Sequence, residues 1–346
     1  MLQLLAGLAL LVLGAELLVR GAVRLAARLN VRPLVIGLSA VALGSSAPQL
    51  AVSLQATWSG SPDIAVGSLF GGNIFSILVT LGFCALIIPL RVSRQLVRVD
   101  IPLLIGASLL VFVLCLNEQL GRLEGLVLLA GLLGYLALLW RQSQHPGRQA
   151  AQGPGGRSAS LGSLALMFGG AVLLIGGGHL LLEAAIEVAL DYGFSDRIIG
   201  LTIVAVGSSL PELATSLIAA LRGERAIAVG NVVGSNLFNL LGVLGLTAVM
   251  APVPLSVSPN ALDFDLPVMV GVALLCLPLF YSGYRITRAE GLVLLGLYLA
   301  YGLHVVTFAT GMPLADRLEH LMLVYVLPLL GAYLLLSSWR TWRRQH

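Results

Sequence analysis

The 346-residue sequence contains no lysine: all 20 of its basic residues are arginine. With 16 acidic residues they make up 10% of the chain, where a soluble domain carries about 25%. So few charges cannot coat a water-facing surface around a core of this size. That scarcity excludes soluble enzymes and nucleic-acid binders, and the net charge of +4 is instead an orientation signal. Cysteine is also scarce. Cys84, Cys115 and Cys276 stand alone in apolar stretches, with no paired spacing for a disulfide scaffold or a metal motif. HExxH, GxSxG and Walker sequences are missing, so an enzyme has no positive support and no cofactor is expected. No intramembrane Asp pair is expected either. No charged region precedes the N-terminal apolar run, which continues past residue 18. It is read as a retained helix and not as a cleaved signal.

What the chain does have is long uncharged runs. Residues 33–62, 64–90, 158–182, 226–262 and 291–315 each exceed the roughly 20 residues that span a hydrocarbon core. Cutting the hydropathy at charged and Pro/Gly-rich breaks predicts eleven spans: 2–19, 33–57, 64–89, 101–116, 122–140, 161–186, 198–221, 226–250, 266–283, 290–309 and 320–339. The fold class expected is an all-α multi-pass membrane protein of about eleven transmembrane helices. With the N-terminus outside, 17 arginines fall on inner loops and helix ends, and Arg122, Arg197 and Arg317 fall outside. The positive-inside rule then sets the N-terminus outside and the C-terminus in the cytoplasm, in a bacterial or archaeal plasma membrane.

The chain also repeats itself. Residues 37–82 align without a gap to residues 200–245, and 24 of 46 positions are identical. Five spans per copy would make the second copy enter the membrane from the opposite side. Two inverted five-helix repeats are an architecture of alternating-access transporters, with the site near the midplane between the halves. The expected organisation is a first repeat over 1–140, a polar cytoplasmic linker over 141–160, a second repeat over 161–309, and an extra helix with a basic tail over 310–346. The extra helix would serve lipid packing or a homodimer contact.

Polar residues concentrate inside the repeats. Ser208, Ser209, Glu212, Thr215 and Ser216 share one span with no compensating arginine. Positions 208, 212 and 216 lie on one helical face, and Pro211 frees the carbonyl four residues earlier. A carboxylate without a partner in the bilayer is costly and marks a functional site by default. The next span holds Asn231, Ser235, Asn236 and Asn239. Hydroxyl, amide and carbonyl oxygens with one carboxylate are hard ligands, suited to alkali or alkaline-earth cations. In the first copy Ser45, Ser46, Ser53 and Asn73 supply the oxygens, Gln49 stands where the second copy has Glu212, and Gly72 and Ser76 stand opposite Ser235 and Asn239.

GSSLPELATSLIAA followed by GNVVGSNLFNLLGVLG closely resembles the α-repeat signature of the cation/Ca²⁺ exchanger superfamily, the sodium/calcium exchangers. The resemblance covers nearly all of residues 1–309. It implies a central site to which each repeat gives one acid, carrying Ca²⁺ one way and Na⁺ the other. By position, Glu212 would be the carboxylate ligand of the second repeat and Ser208 a backbone and hydroxyl ligand. Ser235 and Asn239 would serve Na⁺. The first repeat departs from the pattern, because Gln49 leaves the site one carboxylate instead of two.

The metal set expected is therefore Glu212, Gln49, Ser45 and Ser208, within a wider cation site of Ser46, Asn73, Ser76, Ser209, Ser235, Asn236 and Asn239. The leading expectation is a Na⁺/Ca²⁺-type antiporter. A monovalent or H⁺-linked exchanger, with one ion or proton carried on Glu212, is the second. A non-transporting cation sensor on the same fold is the third. Among the other charged residues, Glu16 is spaced to pair with Arg20. Glu183, Glu187, Asp191 and Asp196 are read as a solvated helix end, and His179 as an interior histidine.

Overall fold

The computed structural model describes residues 2–143, 157–191, 199–281 and 283–310, together with positions 320, 321 and 324. Among them ten helices are long and apolar enough to cross a bilayer. In chain order these are α1 (Gln3–Leu29), α2 (Pro33–Trp58), α3 (Pro62–Ile87), α4 (Leu96–Leu114), α5 (Arg122–Ser143), α6 (Leu161–Asp191), α7 (Thr202–Leu221), α8 (Arg225–Met250), α9 (Ala261–Tyr281) and α10 (Arg288–Phe308). The chain is thus an α-helical membrane protein. Nearly all of the expected eleventh span, and linker residues 144–156, lie outside the described residues.

The helices end where the sequence supplies stops. Gly60 and Gly223 both take φ of +83°, a conformation that costs glycine little and other residues more. Ser61 N then donates to Ala56 O at 2.9 Å, and Glu224 N to Ala219 O at 2.9 Å. These six-to-one bonds satisfy carbonyls left open at the ends of α2 and α7. Prolines 33 and 62 begin α2 and α3, where a missing N–H costs nothing.

Small residues set the closest helix contacts. A Cβ on Gly14 of α1 would lie 2.8 Å from Gly170 O of α6, and one on Gly7 would lie 3.0 Å from Gly177 O. Gly234 of α8 meets Leu38 O of α2 at 2.7 Å by the same measure. Glu16 pairs with Arg20 at 2.6 Å, as its spacing predicts, and also takes Arg222 at the end of α7.

Two short strand pairs join the copies. β1 (Leu90–Arg91) pairs antiparallel with β4 (Arg285–Ile286), and β2 (Gln119–Leu120) with β3 (Leu255–Ser256). Between them run α4 and α9, which pack on each other.

Several helices open with, or contain, a π-helical turn: Gly37–Val41, Ser76–Leu81, Leu96–Asp100, Ile199–Val204, Phe238–Val243 and Ala261–Asp265. Such turns add a residue to one turn and recur at functional sites. They also correct one expectation. A span cut at the charged residue begins after Asp100 and after Asp265, but the helices begin at Leu96 and Ala261. Both aspartates are therefore inside helices, and both are buried. They lie in the first turns of α4 and α9 and are not partners of each other: Asp265 bonds Tyr301 and Asn260.

Candidate ion-binding site

Glu212 sits on α7 with 1% of its surface exposed. Pro211 lies inside the continuous helix beside it. Four helices converge on this carboxylate. Ser46 of α2 donates to Oε1 at 3.2 Å, and Asn239 Nδ2 of α8 donates to the same oxygen at 3.2 Å. Ser76 of α3 donates to Oε2. Asn239 Nδ2 also reaches Asn73 Oδ1 of α3 at 3.1 Å. Both oxygens of Glu212 are thus satisfied by donors in an otherwise apolar interior, as buried polar groups generally are.

A second cluster adjoins the first. Ser45 of α2 donates to Asn231 Oδ1 at 2.9 Å and lies 3.1 Å from the Ser235 hydroxyl. Asn231 Nδ2 donates to Ser216 Oγ at 2.8 Å and reaches the Glu212 carbonyl at 3.4 Å. Asn231 therefore ties the two serine-rich helices together.

Gln49 takes the place opposite. Its Nε2 donates to Ser68 Oγ at 3.3 Å. Its Oε1 is buried, and no donor among the described residues reaches it. A Cβ built on Gly72 would lie 2.8 Å from Ser209 Oγ and 3.8 Å from that oxygen. The glycine thus keeps open a small space between two oxygens from opposite copies. Asn239 Oδ1 is likewise buried without a donor. Unpaired buried acceptors are costly, and a bound cation is one way to satisfy them.

Not every expected residue meets Glu212. Ser208 Oγ and Ser209 Oγ both donate to Ala205 O of their own helix, at 3.2 and 3.1 Å. Asn236 turns back to Val232 O at 2.8 Å. Ser208 instead borders a cavity of about 240 Å³ between α2, α6 and α7, whose other walls include Pro48, Gln55, Gly176 and His179. His179 is no interior histidine. Its side chain is 57% exposed and lies 3.1 Å from Glu183, because α6 runs on to Asp191 and carries this face out of the core. Asp196 lies outside the described residues.

Two residues with buried acids escaped the sequence reading. Asp100 and Asp265 occupy matching Asp-x-Pro sequences, VDIPL and FDLPV, and the helices that follow share RxEGLVLL. That second likeness aligns Tyr135 with Tyr301. These motifs were a usable signal. Tyr301 donates to Asp265 Oδ1 at 2.9 Å, whereas no bond among the described residues reaches either oxygen of Asp100 or the Tyr135 hydroxyl.

A family model described as sodium/calcium exchanger protein matches residues 1–141 and 162–307. A putative antiporter, CaxA, of Alkalimonas amylolytica is 39% identical over 305 residues, covering 86% of this chain and 95% of that one. The sodium/calcium exchanger MaX1 of Methanosarcina acetivorans is 30% identical over 342 residues, with 86% and 96% covered. A solved structure of the sodium-calcium exchanger NCX_Mj soaked with Na⁺ and Ca²⁺ superposes with a TM-score of 0.74 at 30% identity, covering 89% of this chain and 96% of the other.

Proposed function

The chain belongs to the sodium/calcium exchanger protein family and is a multi-pass membrane cation antiporter; from that premise we propose that it exchanges Na⁺ for Ca²⁺ at Glu212. The observation that carries this reading is the convergence of Ser46, Ser76 and Asn239 on one buried carboxylate from three other helices. A cation arriving there replaces donated hydrogens with a positive charge, and the hydroxyl and amide groups turn their oxygens to it. Those oxygens suit Na⁺ and Ca²⁺ and are poor ligands for softer metals.

The donors come from both copies. An ion bound to Glu212 therefore pulls on α2 and α3 of one copy and on α8 of the other. Rearrangement of the copies around a site between them is alternating access. Of the expected metal set, Glu212 supplies the charge and Gln49 Oε1 a neutral oxygen, with Ser45 on the neighbouring cluster and Ser208 at the cavity wall. The 17-to-3 arginine split sets the N-terminus outside.

Gln49 favours a second reading, exchange of monovalent ions. One carboxylate neutralises one Na⁺ or one proton but leaves Ca²⁺ with a positive charge in the bilayer, which is unfavourable. The test is Na⁺-gradient-driven uptake of radiolabelled Ca²⁺ into proteoliposomes. Wild type accumulates Ca²⁺, and Glu212→Gln, folded and monodisperse, does not. Undiminished uptake by Glu212→Gln moves the site elsewhere. Labelled Na⁺ exchange without Ca²⁺ uptake in wild type selects the monovalent reading.

A further inference from the structure

Asp265 belongs to no part of the Glu212 cluster, yet it is a buried carboxylate with 4% of its surface exposed. Among the described residues no arginine pairs with it. Its two partners are neutral: Tyr301 Oη donates to Oδ1 at 2.9 Å, and Asn260 Nδ2 to Oδ2 at 3.4 Å. An ionised carboxylate buried without a positive partner is disfavoured, so something outside the protein must balance its charge.

The surroundings decide which ion does so. A metal ion of the Na⁺ or Ca²⁺ kind needs a cage of several oxygens. Here one side is closed by an amide N–H and another by the aromatic rings of Phe264 and Tyr301, which stack 5.9 Å apart. A proton needs no cage. The Tyr301 hydroxyl can donate to the carboxylate or accept from the acid, so the same pair accommodates both protonation states. Asn260 is half-buried beside the exposed Pro259 at the start of α9, which gives a proton a short way in.

Packed side chains join the group to the ion site. The Tyr301 ring lies 5.9 Å from Tyr298, which meets Phe75 edge-on at 5.4 Å. Phe75 immediately precedes Ser76, the donor to Glu212 Oε2. One turn beyond Asp265, Met269 Sδ accepts from Asn73 Nδ2 at 3.9 Å, and Asn73 bonds Asn239. Two sets of packed side chains therefore connect Asp265 with Glu212.

We propose that Asp265, with Tyr301 and Asn260, is a proton-binding site separate from the ion site, and that its occupancy sets the cation affinity at Glu212. The titratable groups around it are Tyr298, Tyr301 and the buried His304 from α10, the last with its ring 3.6 Å from that of Phe264 and tilted 33° to it. Asp63 of α3, Asp263 of α9 and Glu118 beside β2 are exposed. The first copy repeats the pair as Asp100 and Tyr135, but without the bond.

Infrared titration of the full-length protein in lipid, without Na⁺ or Ca²⁺, from about pH 5 to about pH 9, reads protonated carboxyl groups directly. The difference between wild type and Asp265→Asn is expected to contain a carboxyl band that titrates away in this range. Tyr301→Phe keeps that band and moves its midpoint by about one unit, as loss of a hydrogen bond to a charged group does. Glu212→Gln leaves the band in place, so failure of the transport site and failure of the proton site are read separately. Calcium affinity, measured across the same range, changes with pH at least threefold less in Asp265→Asn than in wild type. A difference spectrum without a titrating band overturns the proposal, as does an unmoved midpoint in Tyr301→Phe or equal pH sensitivity in the two proteins. If Asp265→Asn does not fold, Tyr301→Phe decides alone.

Discussion

Replacing Gln49 by Glu restores a second acid opposite Glu212, and its effect can be worked from the geometry. The acceptor Oε1 of Gln49 is already buried and unpartnered, so the new carboxylate needs no rearrangement to face an ion. Losing Nε2 removes one bond to Ser68, whose hydroxyl can rotate and donate in its place. With an effective dielectric of about 20, a carboxylate about 3 Å from a divalent ion gains about 11 kcal/mol. Repulsion from Glu212 costs about 3 kcal/mol if the two carboxylates stand about 5 Å apart. Burial of the new charge costs several kcal/mol more. About 2–3 kcal/mol survives for Ca²⁺, a gain of roughly 30- to 150-fold in affinity. For Na⁺ the attraction halves while both costs stay, so nothing is gained. Titration calorimetry with each ion on wild type and Gln49→Glu, in matched detergent, measures both. Unchanged or weaker Ca²⁺ binding, or an equal gain for Na⁺, refutes the reasoning and places Gln49 outside the ion's reach.

Two further outcomes follow from packing and topology. Gly234→Ala puts a methyl 2.7 Å from Leu38 O and 2.8 Å from the Ala42 Cβ, and backbone cannot yield as a side-chain tip can. It should cost about 1–3 kcal/mol and lower the melting temperature, whereas Gly106→Ala, with nothing within 4 Å, should not. Cysteines introduced in 145–156 and at 345 should react with impermeant reagents only from the cytoplasmic side. The native Cys84, Cys115 and Cys276 are all buried and add little background; labelling from outside would reverse the orientation.

The site was legible in the sequence to the extent that it rests on the repeat. Glu212, Ser46, Ser76 and Asn239 stand out because polar residues in an apolar helix have few explanations, and the helical period puts Ser208 and Glu212 on one side. Direction within that side was not legible. Ser208 and Asn236 spend their side chains on carbonyls of their own helices, a local choice that spacing does not reveal. Asp100 and Asp265 were missed for another reason. Cutting a span at each charge assumes that charges mark ends, and π turns carry both helices five residues past that limit. His179 was misplaced because composition cannot say which face of a long helix looks outward.

The strand pairs have a mechanical consequence. β1 precedes α4 and pairs with β4, which follows α9; β2 follows α4 and pairs with β3, which precedes α9. The two antiparallel helices are thus spliced to each other by backbone hydrogen bonds at both ends. Neither can slide along the other without breaking a splice, and breaking one loads the second. Axial shear between the copies is therefore blocked along this seam, while tilting about it strains neither splice. In the alternating access proposed above, α4 and α9 are thus the natural pivot, and the helices without such ties carry the movement.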